Sequence, residues 1–168
     1  MALLTITAPR TPLDIRVGRE ITSWLQEHSQ AADYSYDGSH VRVAMPYGGR
    51  EELQYALDAT TAWNIRAMRE HPLPPIYSAG VRYRREPICR TDGQAHICEE
   101  FLTAHETYAR KFGDCDDLGP WLAAQARLAG DAHARAMPRP SAAGWHIIVL
   151  RGDGQVEDPS AKLGMKTS

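Results

Sequence analysis

No hydrophobic run in this sequence is long enough to span a membrane; nothing approaches the roughly 20 consecutive apolar residues a spanning helix needs. The opening segment carries a short apolar stretch broken by Thr5 and then Pro9. It is too short for a signal-peptide core and has no basic residues before it. The expectation is therefore a chain made in the cytoplasm, with no membrane partner. Basic charge is not in excess: 21 acidic residues stand against 19 basic ones, for a formal charge of −2. Little is left to neutralise a phosphate backbone, which argues against a nucleic-acid partner. Lysine is scarce, with only Lys111, Lys162 and Lys166 beside the arginines. Cysteine is limited to Cys89, Cys98 and Cys115, an odd number that leaves at least one thiol free or paired outside the chain. Internal repeats and low-complexity tracts are absent.

What remains is ordinary globular material. The 168 residues are 43% hydrophobic and 24% charged, enough for one compact domain with a core of normal size. Three stretches organise it. Residues 1–49 form an N-terminal extension. In it, residues 14–28 carry Ile15, Ile21, Trp24 and Leu25 at amphipathic-helix spacing. Tyr34-Ser35-Tyr36 and Val41-Arg42-Val43 flank Asp37-Gly38, a hairpin signal. Residues 50–71 form a connecting helix. Leu53, Leu57, Ile65 and Met68, with Trp63, give it a buried stripe, and Pro72, Pro74 and Pro75 end it. Residues 72–168 carry the chemistry.

In that third stretch Gly113 provides an entry and Asp114 an N-cap. Cys115, Leu118, Leu122, Ala126 and Ala129 then share a helical face, and Gly130 provides a C-cap. The positive end of the helix dipole favours a thiolate at Cys115, and the thiolate is the nucleophile. The plainer alternative is a small apolar residue packed under the helix. Downstream, Trp145-His146-Ile147-Ile148-Val149-Leu150 reads as a central strand buried on both faces, and a histidine in it needs a polar partner. The chain turns at Gly152-Asp153-Gly154. A two-residue loop puts Asp158 on the face opposite His146. A three-residue loop with Gly154 left-handed pairs His146 with Ser160 and brings Asp158 to the histidine's own face. Gly154 is the residue type that bulge requires, so the second register is expected, with a His146–Asp158 hydrogen bond.

The ordered set of Gly-Asp-Cys115-Asp-Asp-Leu, an apolar helix, Trp-His146-Ile-Ile-Val and Glu-Asp158-Pro-Ser resembles the transglutaminase-like superfamily of papain-type thiol enzymes. It is most similar to small transglutaminase-like proteins of tailed bacteriophages. Their Tyr-x-x-Gly-Val-x-Tyr-x-x-Glu-Pro segment matches Tyr77 to Pro87, and their Glu-Asp-Pro-Ser…Leu-Gly-Met ending matches Glu157 to Met165. The resemblance covers residues 72–165. It implies an α+β fold, with the Cys helix packed on an antiparallel sheet that contains Val149 and Val156. It also implies a Cys115 nucleophile, a His146 base and an orienting Asp158, acting on an amide or ester carbonyl through a thioester. No cofactor is implied. The oxyanion donors are the Cys115 backbone N–H with Tyr108 or Trp145 as the second.

Asp114, Asp116 and Asp117 crowd Cys115, and like charge disfavours a thiolate. Their side chains are expected to stabilise the helix start, with Asp116 and Asp117 turned to solvent or to arginine. A metal reading would draw on Asp114, Asp116, Asp117, His146 and Asp158, without the i, i+4 ligand spacing of helical metal sites; the expectation is no metal. Cys89 and Cys98 flank a turn with about equal arms and are expected to face each other across a hairpin, as packing residues, a disulfide or, last, part of a zinc site. Arg82, Arg84 and Arg85 suit either an anionic partner or one solvated strand face. Two function classes follow. One is a thiol acyl-transfer enzyme (peptidase, amidase or transamidase) acting on protein, peptide or peptidoglycan-like amides. The other is a virion structural or assembly protein using the same fold as a scaffold, made in the host cytoplasm and built into the particle. Tyr34, Tyr36 and Tyr47 are the anchors it would offer to virion partners.

Overall fold

The computed structural model describes residues 2–7, 33–36, 40–45, 50–85, 88–91, 94–97, 100–142 and 144–166. The expected helix at 14–28, the Asp37-Gly38 turn and Tyr47 lie outside them. In chain order the elements are β1 (Ala2–Thr7), β2 (Asp33–Tyr36), β3 (His40–Met45), α1 (Arg50–Glu70), a 3-10 turn (Ile76–Ser78), β4 (Arg82–Tyr83), β5 (Ile88–Thr91) and β6 (Gln94–Ile97). They continue as β7 (Glu100–Leu102), α2 (Ala104–Arg110), β8 (Phe112–Gly113), α3 (Cys115–Leu128), β9 (Arg135–Ser141), β10 (Gly144–Leu150), β11 (Val156–Glu157) and α4 (Pro159–Lys162). The fold is α+β. No helix among the described residues is long and apolar enough to cross a membrane.

The sheets run β2-β3-β1-β7, β11-β10-β9, β4-β8 and β5-β6. β2 and β3 are antiparallel, as the flanks of Asp37-Gly38 suggest. β1 is a strand the opening residues did not announce. It pairs antiparallel with β3 and parallel with β7, Thr7 opposite Leu102. The N-terminal strands therefore extend a sheet that reaches the segment just before α2. In the β5–β6 hairpin Cys89 stands opposite His96. Cys98 lies outside the described residues, and with it the expected Cys89–Cys98 juxtaposition.

The core gathers where α1 and α3 pack on each other and on β9 and β10. α1 has no glycine or proline inside it, and it ends where the prolines begin. Leu57, Trp63 and Met68 are buried, while Leu53 and Ile65 lie at the margin. Thr60 and Thr61 tolerate burial because their hydroxyls donate to the carbonyls of Ala56 and Leu57, at 2.9 and 2.7 Å, which answers the desolvation cost. The Gln125 side chain ties α3 to the proline-rich turn: its Nε2 donates to Pro74 O and its Oε1 accepts from Ile76 N. Gly119 sets how closely α3 approaches β10. A Cβ there would lie 2.6 Å from Ile147 Cγ2, so only glycine permits this contact.

Candidate functional site

Cys115 is the first residue of α3 and is half-buried against the core. Asp114 is the N-cap and closes a capping box with Asp117. The Asp114 carboxylate accepts from Asp116 N at 3.3 Å. The Asp117 carboxylate accepts from Asp114 N at 3.0 Å and from Leu102 N at 2.6 Å. Asp117 therefore anchors β7 to the helix that carries the thiol. This overturns the expectation that Asp116 and Asp117 turn to solvent or to arginine, since they are only 3% and 2% exposed. The cause is tertiary: β7 and β8 close over the start of α3, and two backbone N–H groups there need an acceptor. Gly113 serves a different purpose from the expected sharp entry. Its φ is not positive. A Cβ would press on Thr107 Cγ2 at 2.8 Å and on Asp117 Cβ at 2.9 Å, so glycine keeps room for the capping carboxylate.

His146 lies on β10 with its side chain 12% exposed, and Asp158 is 29% exposed. β10 pairs with β11 through Val149↔Glu157 and Leu150↔Val156. Arg151 N bonds to Gln155 O, and Gly154 has φ +87°. That is the three-residue loop, and its register brings Asp158 to the histidine. His146 Nε2 and Asp158 Oδ2 are 2.9 Å apart. Asp158 is also the N-cap of α4, its Oδ1 accepting from Ala161 N at 3.0 Å. One carboxylate thus holds a helix start with one oxygen and an imidazole with the other. With the Nε2 proton given to Asp158, Nδ1 carries the lone pair and is the basic atom.

The segment around Asp158 is braced by Glu157. Its carboxylate meets Lys162 Nζ at 2.9 Å, accepts from the Tyr77 hydroxyl at 3.1 Å and faces Arg151 Nε at 3.6 Å. Burial pushes the Glu157 carboxyl up, but Lys162, Tyr77 and Arg151 outweigh it and hold it below its ordinary value.

Tyr83 joins the two halves. Tyr83 N donates to Leu163 O, at the end of α4, while Arg82 N and Arg84 N bond to Lys111 O and Gly113 O, just before Cys115. In the parallel β4–β8 pair, Tyr83 lies opposite Gly113. Its phenol is pushed up to about 12, first by burial and then by the negative charge of Cys115 and Asp114, with Asp158 adding to it. The same hydroxyl therefore feels the start of α3 and the start of α4, and it stays protonated at neutral pH. Sequence reasoning gave Tyr83 no role. Its signals were a place among Arg82, Arg84 and Arg85 and in the Tyr77-to-Pro87 motif, in a segment too short for periodicity to read.

The two expected oxyanion residues are placed differently. The Tyr108 ring packs edge-on against Trp121 at 6.3 Å, with Lys111 Nζ over its face at 3.3 Å. Trp121 is six residues on from Cys115, about 9 Å along the helix axis at 1.5 Å per residue. Trp145 is exposed at the open end of β10, opposite Pro140. Arg84 stacks on Phe112 at 4.5 Å, and Arg110 pairs with Glu106 at 2.7 Å and Glu100 at 3.3 Å. With Arg85, these arginines line a cavity of about 230 Å³ that also touches Gly113 and Asp117.

Comparison with protein-family models, with curated proteins and with solved structures returned no match.

Proposed function

We propose that the protein is a thiol enzyme of transglutaminase-like type that transfers or hydrolyses an acyl group at an amide bond. The observation that carries this reading is the 2.9 Å contact between His146 Nε2 and an Asp158 fixed by its own helix cap. A histidine so oriented presents a basic Nδ1, the arrangement a thiol needs for activation. Cys115 supplies the thiol at a helix start, where the dipole favours its ionised form. In the proposed reaction the Cys115 proton passes to His146 Nδ1 while sulfur bonds to the acyl carbon. The developing oxyanion is met by the Cys115 backbone N–H and by the protonated Tyr83 hydroxyl, which replaces Tyr108 and Trp145 as the second donor. The intermediate collapses, the C–N bond breaks, and the imidazolium gives its proton to the departing amine. Water or a second amine then opens the thioester. Proteins, peptides or peptidoglycan-like stems are the proposed substrates, and a bacteriophage the proposed source.

One observation favours a second reading, a virion scaffold with an idle triad. Asp116 is a buried carboxylate beside the thiol, and its charge opposes a thiolate. Alkylation separates the two readings. In a chain with Cys89 and Cys98 changed to serine, Cys115 should react with iodoacetamide near neutral pH, and His146→Ala should slow it at least about tenfold, since a positioned base contributes that much or more. A Cys115 that reacts no faster than an unfolded-peptide thiol, with His146→Ala unchanged, would end the enzyme reading.

A further inference from the structure

We infer that Asp114, Cys115 and Asp116 form a binding site for a divalent cation of borderline softness, of which Zn²⁺ is the type, and that the bound ion masks the thiol. The masking rests on the thiol-enzyme reading; the binding does not. The ligand atoms of these three residues, one carboxylate oxygen, one sulfur and one carboxylate oxygen, all lie within 4.8 Å of one another. Zinc bonds of about 2.0–2.3 Å at the tetrahedral angle hold ligand atoms about 3.3–3.8 Å apart, so side-chain movement of up to about 1–1.5 Å completes a three-ligand face.

Proximity at a helix start is not the argument by itself. The decisive feature is Asp116. It is 3% exposed, and neither carboxylate oxygen has a hydrogen-bond partner among the described residues. Its two acidic neighbours are used by the fold: Asp114 accepts from Asp116 N, and Asp117 from Asp114 N and Leu102 N. Asp116 is the acid that capping leaves over. An uncompensated carboxylate in that position is costly and must be neutralised by a proton or a cation. A second carboxylate and a thiol lie within 4.8 Å of it and repel it when ionised. A divalent ion turns that repulsion into attraction for all three groups at once. The helix dipole, worth roughly half a positive charge, opposes the ion but is outnumbered by the three negative ligands.

The donor set also selects the ion. Sulfur with two carboxylates suits zinc or cadmium, whereas calcium and magnesium require oxygen throughout. The fourth position is left to water. This set differs from the one the sequence offered. Asp117 has both oxygens taken by backbone N–H groups, Oδ1 by Leu102 N and Oδ2 by Asp114 N, and His146 and Asp158 are spent on each other. Cys115 enters as a ligand in their place.

The test uses the full chain with Cys89 and Cys98 changed to serine. Cd²⁺ serves as the spectroscopic probe and Zn²⁺ as the stabilising ion. Cadmium should raise a thiolate-to-metal charge-transfer band that saturates at a single equivalent. Zinc should raise Tm in proportion to the logarithm of its concentration, because it binds the folded chain alone. Cys115→Ser should remove the band. Asp116→Asn should weaken binding at least tenfold and abolish the Tm rise, and its own metal-free Tm should equal or exceed that of the parent, because a neutral amide is cheaper to bury. Absence of both band and Tm rise in the parent would overturn the site, as would cadmium binding unchanged by Asp116→Asn. Should that variant fail to fold, the parent's zinc-dependent Tm set against Cys115→Ser decides alone. Alkylation without metal keeps the two readings apart. A slow thiol with an Asp116-dependent band sinks the enzyme and keeps the site, and a fast thiol without the band does the reverse.

Discussion

α3 and α4 both begin on an aspartate N-cap, and the two starts use their carboxylates differently. At α4 a single acid does everything: Asp158 accepts from Ala161 N and from the His146 imidazole. At α3 three acids crowd one turn. Two of them satisfy four backbone N–H groups, those of Asp116, Asp117, Asp114 and Leu102, and the third, Asp116, satisfies none. The α4 start is partly exposed and its one cap carboxylate is used at both oxygens; the α3 start is buried and holds a carboxylate that no donor among the described residues meets. Local capping preference is the same in both. Burial and the count of donors separate them: where carboxylates equal the demand they fix geometry, and where they exceed it the remainder becomes a site.

The largest expected effect comes from removing the acid that matters most to the buried start. Asp117→Ala leaves Leu102 N and Asp114 N without their acceptor, a carboxylate only 2% exposed. Each orphaned donor costs about 1–3 kcal/mol, so the variant should lose about 3 kcal/mol in a denaturant titration. A loss below about 1 kcal/mol would mean the two starts are energetically alike.

The exposed start should respond in the opposite way. Asp158→Asn keeps an oxygen for Ala161 N, and asparagine caps about as well as aspartate, so stability should change by no more than about 0.5 kcal/mol. Alkylation of Cys115 should nonetheless fall at least about tenfold, because an amide no longer fixes the histidine with its proton on Nε2. Equal labelling rates for Asp158→Asn and its parent would remove the orienting role while leaving the cap.

How much of this was legible in the sequence follows the same division between local and tertiary causes. α1 spans Arg50–Glu70 as its pattern and the prolines after it predict. The β10–β11 register was readable because Gly154 alone decides it, and the observed φ of +87° agrees. The mixed helix-and-sheet class followed from such signals. The parallel pairs β1–β7 and β4–β8 join segments far apart in the chain, and no local periodicity encodes which distant strand will be the partner. The burial of Asp116 and Asp117 was missed for the same reason: a carboxylate on a first turn reads as a solvated charge until β7 is known to cover it. Tyr83 became visible only when β4 was seen to link Gly113 to Leu163.

The smallest effect tests whether the two starts border one region. The Tyr83 phenol is raised from 10.0 to about 12, first by burial, then by Cys115 and Asp114, with Asp158 contributing. The sign follows from linkage. The unfolded chain gives up this proton near pH 10 and the folded chain only near 12, so the stability it confers is intact below about 10 and is lost as pH rises towards 12. Tyr83→Phe has no proton to lose there. Its denaturation midpoint should therefore decline less steeply than the parent's between neutral pH and about 11, with little difference at pH 7. Tyr77, raised by burial and by Glu157, contributes in both proteins and cancels in the comparison. A second variant sharpens the result: Cys115→Ala removes the charged group that ranks next after burial, so the Tyr83 phenol should titrate at lower pH in an ultraviolet titration. Identical alkaline slopes for Tyr83→Phe and its parent would place the phenol outside the field of either helix start.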